Sequence, residues 1–269
     1  MNIFWIVLIL IFAAADPAWA HDCWIQPNHF KLGLDSILII RLLVGHQMKT
    51  DKELALEKKM TPRLTLQTRT GTKNLIPMSE EGSLPLLSLK PEFTGTGLVA
   101  MDRDFTDIVL ENDKFTSYIS GEHHSQWTDR VNANPRGKQK EEYARCVKTL
   151  VHVGEDPPCP EVASLETGQR LEILLLSSPW QAEPVRVKVL FDGKPLAEKT
   201  VTAFVSNDSM VSQTAVTTEN GEAKFQYMGP GMWLVRLIHL FPCEDDRDMD
   251  WTSYWGAFCF ETASPESSC

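Results

Sequence analysis

Apolar positions along the chain fall mostly in short runs with turn residues between them, a pattern that predicts strands. From Leu34 to Gly45 the residues are almost continuously apolar and β-branched, which predicts a buried strand. Further strands are expected at Arg63 to Thr70, Ser83 to Leu89 and Gly97 to Met101. The period then changes. Phe115, Tyr118 and Ile119 recur at helical spacing after Asn112-Asp113, with Gly121 as a stop, and His123, Trp127 and Val131 form a second helical stripe. Glu141 to Thr149, with Tyr143, Val147 and Leu150 at i, i+4 and i+7, reads as a third helix running into a short strand from Leu150 to Val153.

Pro157, Pro158 and Pro160 follow, and proline blocks both helix and central strand, so this cluster is the expected domain boundary. Beyond it come about seven strand candidates with regular turns: Arg170 to Leu176, Val185 to Phe191, Thr200 to Val205, Gln213 to Thr218, Glu222 to Tyr227, Met232 to Phe241 and Ser253 to Glu261. Asp192-Gly193 and Asn220-Gly221 are hairpin signals. The expected fold is mainly β: a sandwich-like domain over residues 21–156 with a helical insertion near 112–149, then an immunoglobulin-like sandwich over 161–262 and a tail over 263–269.

The chain opens differently. Ile3 to Ala15 is a run of about 13 apolar residues, against the roughly 20 that a membrane-spanning helix needs. It ends in Ala18-Trp19-Ala20, a small-x-small cleavage signature, although no Lys or Arg precedes it. Residues 1–20 are therefore expected to be a removed signal peptide, leaving a periplasmic or secreted protein with no membrane span. Loss of Asp16 takes the formal net charge from −10 to −9. Such a balance argues against a nucleic-acid partner, since phosphates demand basic clusters and Arg136, Lys138 and Lys140 are the main one present. Six cysteines in an oxidising compartment permit disulfides; Cys243 with Cys259 is the expected local pair, and buried thiols are the alternative.

Cleavage after Ala20 makes His21 the first residue, and its α-amine and imidazole can close one chelate ring on a metal. Further ligands are sought at His46, just after the long apolar strand, and at His239, which shares a strand face with Trp233, Val235, Leu237 and Phe241. For His46 and His239 the plain alternative is a core histidine with a satisfied ring nitrogen. His123 and His124 are adjacent and diverge on a helix, so they are expected at the surface; His29 and His152 have weaker claims. The acidic run Glu244, Asp245, Asp246, Asp248 and Asp250 lacks the glycine and terminal glutamate of a calcium loop and reads as a solvated loop. Trp233, Trp251 and Trp255 are expected in the core rather than on a sugar-stacking platform. No HExxH, CxxC, GxSxG or phosphate-cradling glycine motif is present.

Several of these segments together resemble a known family. They are His21-Asp22-x-Trp24-Ile25-x-Pro27, Phe191-Asp192-Gly193-Lys194-Pro195-Leu196, Gly231-x-Trp233-Leu234-Val235-Arg236-x-x-His239 and Asp250-Trp251-x-Ser253-Tyr254-Trp255-x-x-Phe258-x-Phe260-Glu261. The chain is similar to the exported domain-of-unknown-function family 4198 (NikM-like), often described as periplasmic components of nickel or cobalt uptake. The resemblance implies two β-rich modules, the second like the small sandwich of carboxypeptidase regulatory domains, and no established catalytic residues.

The leading expectation is an exported, soluble, non-enzymatic protein that binds nickel, cobalt or copper through His21 with His46 or His239, with a membrane metal transporter as its partner. One alternative is a copper enzyme that uses an N-terminal histidine for oxidative chemistry. Another is an envelope module that binds protein or glycan without metal.

Overall fold

The computed structural model describes residues 22–207, 210–245 and 248–262. Among the described residues the chain is mainly β. Its first half holds β1 (Asp22–Pro27), β2 (Lys31–Leu32), β3 (Leu38–His46), β4 (Lys49–Leu54), β5 (Arg63–Thr68), β6 (Gly71–Asn74), β7 (Leu87–Leu89) and β8 (Gly95–Glu111). The helices α1 (Asn112–Gly121) and α2 (Thr128–Asn132) follow, then β9 (Lys138–Val153) and the single turn α3 (Pro160–Ala163). The remainder is β10 (Leu171–Leu175), β11 (Val185–Phe191), β12 (Lys194–Pro195), β13 (Thr200–Ser206), β14 (Met210–Val216), β15 (Glu222–Phe225), β16 (Gly231–Pro242) and β17 (Trp251–Thr262).

One large sheet organises the molecule, in the order β14-β13-β16-β17-β9-β8-β5-β6, with β2 pairing on β9. The proline cluster at 157–160 does not interrupt it: β17 pairs in parallel with β9 from Trp251↔Glu141 to Cys259↔Thr149, joining strands from the two sides of the expected boundary. Because a strand sends alternate side chains to opposite faces, this sheet feeds two cores. Val99, Met101, Val147, Leu234 and Cys259 face a small sheet made of β1, β3, β4 and β7. Leu98, Val235, Leu237, Phe258 and Phe260 face the other small sheet, built on β10, β11 and β15. Beside the first small sheet, α1 and α2 pack Phe115, Tyr118, Ile119 and Val131 onto Ile238, Leu240 and Trp251 of the large sheet. The helical insertion and the first small sheet thus cover the same face, side by side.

The expected helix from Glu141 to Thr149 is strand. Val147 and Leu150 of β9 enter different cores, so both faces are covered and the period of two is hidden behind an accidental helical spacing. The helices expected at 112–121 and near Val131 are present, the second preceded by a short 3-10 turn over Ser125–Trp127. Asp192-Gly193 does make a tight turn, with φ of 50° and 71° at its two residues, between β11 and β12.

A disulfide between Cys243 and Cys259 is ruled out by register. Pro242 pairs with Trp251, so Cys243 lies at that end of the β16–β17 ladder, whereas Cys259 is eight residues along β17 opposite Leu234. At about 3.3 Å per residue that separation far exceeds the roughly 7 Å limit for bridged Cα atoms. Cys259 is instead a buried thiol, its pKa pushed well above the usual range by burial.

Candidate functional site

The site grows from the start of β1. Asp22 pairs with Gly45 in the β1–β3 ladder and is 6% exposed. Gly45 lies at a bulge between β3 and β4, where a Cβ would stand 2.0 Å from the Lys49 carbonyl, so only glycine permits this approach. The turn that follows is unusual. Gln47 and Met48 have φ of 48° and 63°, the left-handed pair that a two-residue hairpin needs and that Asn-Gly normally supplies. Two side-chain-bearing residues there store strain. It is opposed by burial of Met48 in the first core and by a hydrogen bond from the Gln47 amide to Asp22 Oδ2 at 3.1 Å.

Asp22 Oδ1 lies 2.7 Å from Nε of Arg236, on β16. The Arg236 side chain is 14% exposed, and its terminal nitrogens donate to both carboxylate oxygens of Glu122, just beyond α1, with Nη2 to Oε1 at 3.0 Å. One guanidinium therefore links the first small sheet, the large sheet and the helical insertion. Burial raises the Asp22 pKa, and the Arg236 charge opposes it without cancelling it. For Arg236 the order reverses: burial lowers its pKa, yet Asp22 and Glu122 leave it raised. Both findings describe ions held in a poorly hydrated place, where loss of one partner is costly.

Next to this cluster, Tyr118 and Ser253 both donate to Glu141 Oε1, the former at 3.0 Å, and Trp255 Nε1 donates to Ser253 at 3.0 Å. Glu141 Oε2 is buried with no partner among the described residues. Burial pushes the Glu141 pKa up to about 7.

The three expected metal ligands fare differently. His21 lies outside the described residues. His46 is half-buried at the end of β3, one residue past the Asp22↔Gly45 pair and close enough to Asp22 for its charge to act on that carboxylate. His239 is on the opposite face of β16 from Arg236, packed edge-on against Phe191 with ring centroids 4.5 Å apart and near Phe241. Burial lowers its pKa to about 4. The large sheet therefore separates His239 from Asp22 and His46. Among the described residues no group of three or more His, Cys, Asp or Glu side chains is arranged to hold a metal ion.

His124, expected at the surface, is 4% exposed, and its Nε2 lies 2.8 Å from the Ile238 carbonyl; His123 is exposed as expected. Trp233 and Trp251 are core residues, whereas Trp255 is half-buried. The ions at Arg236 and Glu122 escaped the sequence reading, although one signal was available: Arg236 is the single cation inside the apolar run from Met232 to Phe241.

The family model for a domain of unknown function (DUF4198) matches residues 18–240. The chain belongs to this family. The DUF4198 match takes in His21, Asp22, His46, Glu122, Arg236 and His239, and it ends within β16. No curated protein matches the chain. One solved structure similar to it is the D0-D1 domain of intimin, 13% identical over 88% of this chain and 97% of that one; the TM-score of 0.22 is too low to bear on fold or function. No helix among the described residues is long and apolar enough to cross a membrane.

Proposed function

We propose that the protein is an exported transition-metal binder whose metal sits at the start of β1, held by the α-amine and imidazole of a processed His21 together with His46. One observation carries this reading: the register Asp22↔Gly45, which leaves His46 next in line on β3 at the end of the ladder where residue 21 joins β1. Chain connectivity keeps the Cα of residue 21 within about 3.8 Å of that of Asp22. The neighbourhood is also stiff. Asp22 is held by Arg236 on one side and the strained Gln47 turn on the other, and rigid support is what a two-ligand site needs to keep its geometry.

Nitrogen donors suit copper, nickel and cobalt, with raw affinity in that descending order. Under this reading His239 belongs to the core. A membrane metal transporter is the corresponding partner, and the periplasm or the exterior is the location.

Calorimetry on protein beginning at His21 tests the proposal against the same protein acetylated at its α-amine. Copper binding should weaken at least a hundredfold in the acetylated form, which keeps both imidazoles but removes the amine as a donor. Equal isotherms would remove the proposal.

A further inference from the structure

Arg103 and Arg145 are directly paired residues of the antiparallel β8–β9 ladder. Such partners project from the same face, where like charges repel. Arg103 is 7% exposed and meets one carboxylate, with Nη2 3.2 Å from Oε1 of Glu57, itself more than half exposed. Its Nε and Nη1 are buried without a hydrogen-bond partner among the described residues, as is Nε of Arg145. Arg145 lies over the rings of Tyr143 and Trp255, at 4.9 and 5.9 Å from their centroids, and these two rings are themselves stacked at 5.0 Å.

Arg103 thus has one exposed carboxylate as its ion partner, Arg145 donates Nη2 to the Tyr143 hydroxyl at 3.4 Å, and the buried N–H donors left without acceptors are expensive. β1 packs against β9, and both charges act on the buried thiol of Cys23 in β1. The ladder also breaks at this point: Asp104 and Phe105 interrupt the pairing, which resumes at Thr106↔Tyr143. Irregularities of this kind re-aim side chains and are enriched beside binding sites.

We infer that Arg103 and Arg145 form a binding site for a small oxyanion, a carboxylate or phosphate group, seated on their guanidinium forks beside the stacked Tyr143 and Trp255. A planar fork accepts two oxygens of one anion, and an anion between two arginines turns their repulsion into attraction. Half-buried Arg145 is the accessible member, while Arg103 supplies the unmet donors. The inference is independent of any metal at His21.

The test is thermal unfolding of the full mature chain in rising sodium phosphate and, separately, sodium acetate, each against sodium chloride of equal ionic strength. The native protein should show a saturable rise in Tm with at least one oxyanion, and the arm that responds identifies phosphate or carboxylate. Arg145→Met should lose that rise and, in chloride, melt no lower than the native protein, because the like-charge contact is gone. Should that variant fold poorly, Arg145→Lys keeps the charge without the fork. A titration followed by intrinsic tryptophan fluorescence should then show binding at least tenfold weaker than in the native protein. An equal response in native and variant protein, or no saturable response to either oxyanion, overturns the inference.

Discussion

Arg236 reaches across from β16 to hold Asp22 with its Nε, and in doing so ties the start of β1 to the centre of the large sheet. The same guanidinium binds Glu122, so two carboxylates and one cation share a poorly hydrated space. Arg236→Met leaves both acids without a counter-charge and should cost about 3–5 kcal/mol. Asp22→Asn leaves Arg236 paired with Glu122 and should cost less, about 1–3 kcal/mol. Urea unfolding of the two variants checks the order as well as the sizes.

The hairpin turn beside that cluster carries strain in a form that can be relieved. Gln47 adopts a φ of 48° with a side chain exposed to solvent, so its side chain contributes little to the core. Gln47→Gly should stabilise the fold by about 1 kcal/mol, since the amide that bonds Asp22 is retained. An unchanged or lowered unfolding midpoint would show that the turn is not under strain.

Glu141 and His239 titrate with opposite signs. The Glu141 pKa of about 7 lies above its unfolded value, so its contribution is full below about pH 4.5 and is lost as pH rises through about 7. Glu141→Gln should therefore stabilise the protein at pH 8 relative to the native chain, and not at pH 4. His239 is held neutral in the fold to about pH 4, whereas the unfolded chain takes up its proton below about pH 6.5. Stability should fall between pH 6.5 and 4 by roughly 2–3 kcal/mol on its account. His239→Phe keeps the contact with Phe191 and should flatten that slope. Unfolding midpoints across pH 4 to 8 measure both effects.

Lys148 of β9 and Glu172 of β10 form a wholly buried ion pair between the large sheet and the second small sheet. Burial lowers the Lys148 pKa; it would raise that of Glu172, but the Lys148 charge and the Thr167 amide bring it below the usual range. Glu172→Gln alone strands the ammonium and should cost about 3–5 kcal/mol. Adding Lys148→Met should recover much of that loss, because glutamine still accepts the hydrogen bonds from Thr167. Additive losses in the double variant would mean the two charges are not coupled.

Strand positions beyond the proline cluster were legible because turn pairs punctuate them: Val185–Phe191 was placed to the residue by Asp192-Gly193. The strand β9 was not, because a strand buried on both faces loses its alternation and Tyr143, Val147 and Leu150 then mimic a helix. The shared sheet was hidden for a related reason. Nothing local in Trp251–Thr262 shows that its parallel partner lies about a hundred residues earlier. At the site, His46 stood out as the residue after the long apolar strand, whereas the Asp22–Arg236–Glu122 cluster depends on three distant elements meeting. His239 is a candidate by residue type and by its place on an apolar strand face, and its aromatic neighbour Phe191 belongs to another strand, which no local pattern shows.

The most direct test of a metal held by the new chain end and His46 is electron paramagnetic resonance of the copper(II)-loaded mature protein. The nitrogen hyperfine pattern should report three nitrogen donors, the α-amine and two imidazoles, and His46→Ala should reduce them to two while His239→Phe leaves the spectrum unchanged. A spectrum unaltered by His46→Ala would contradict the assignment.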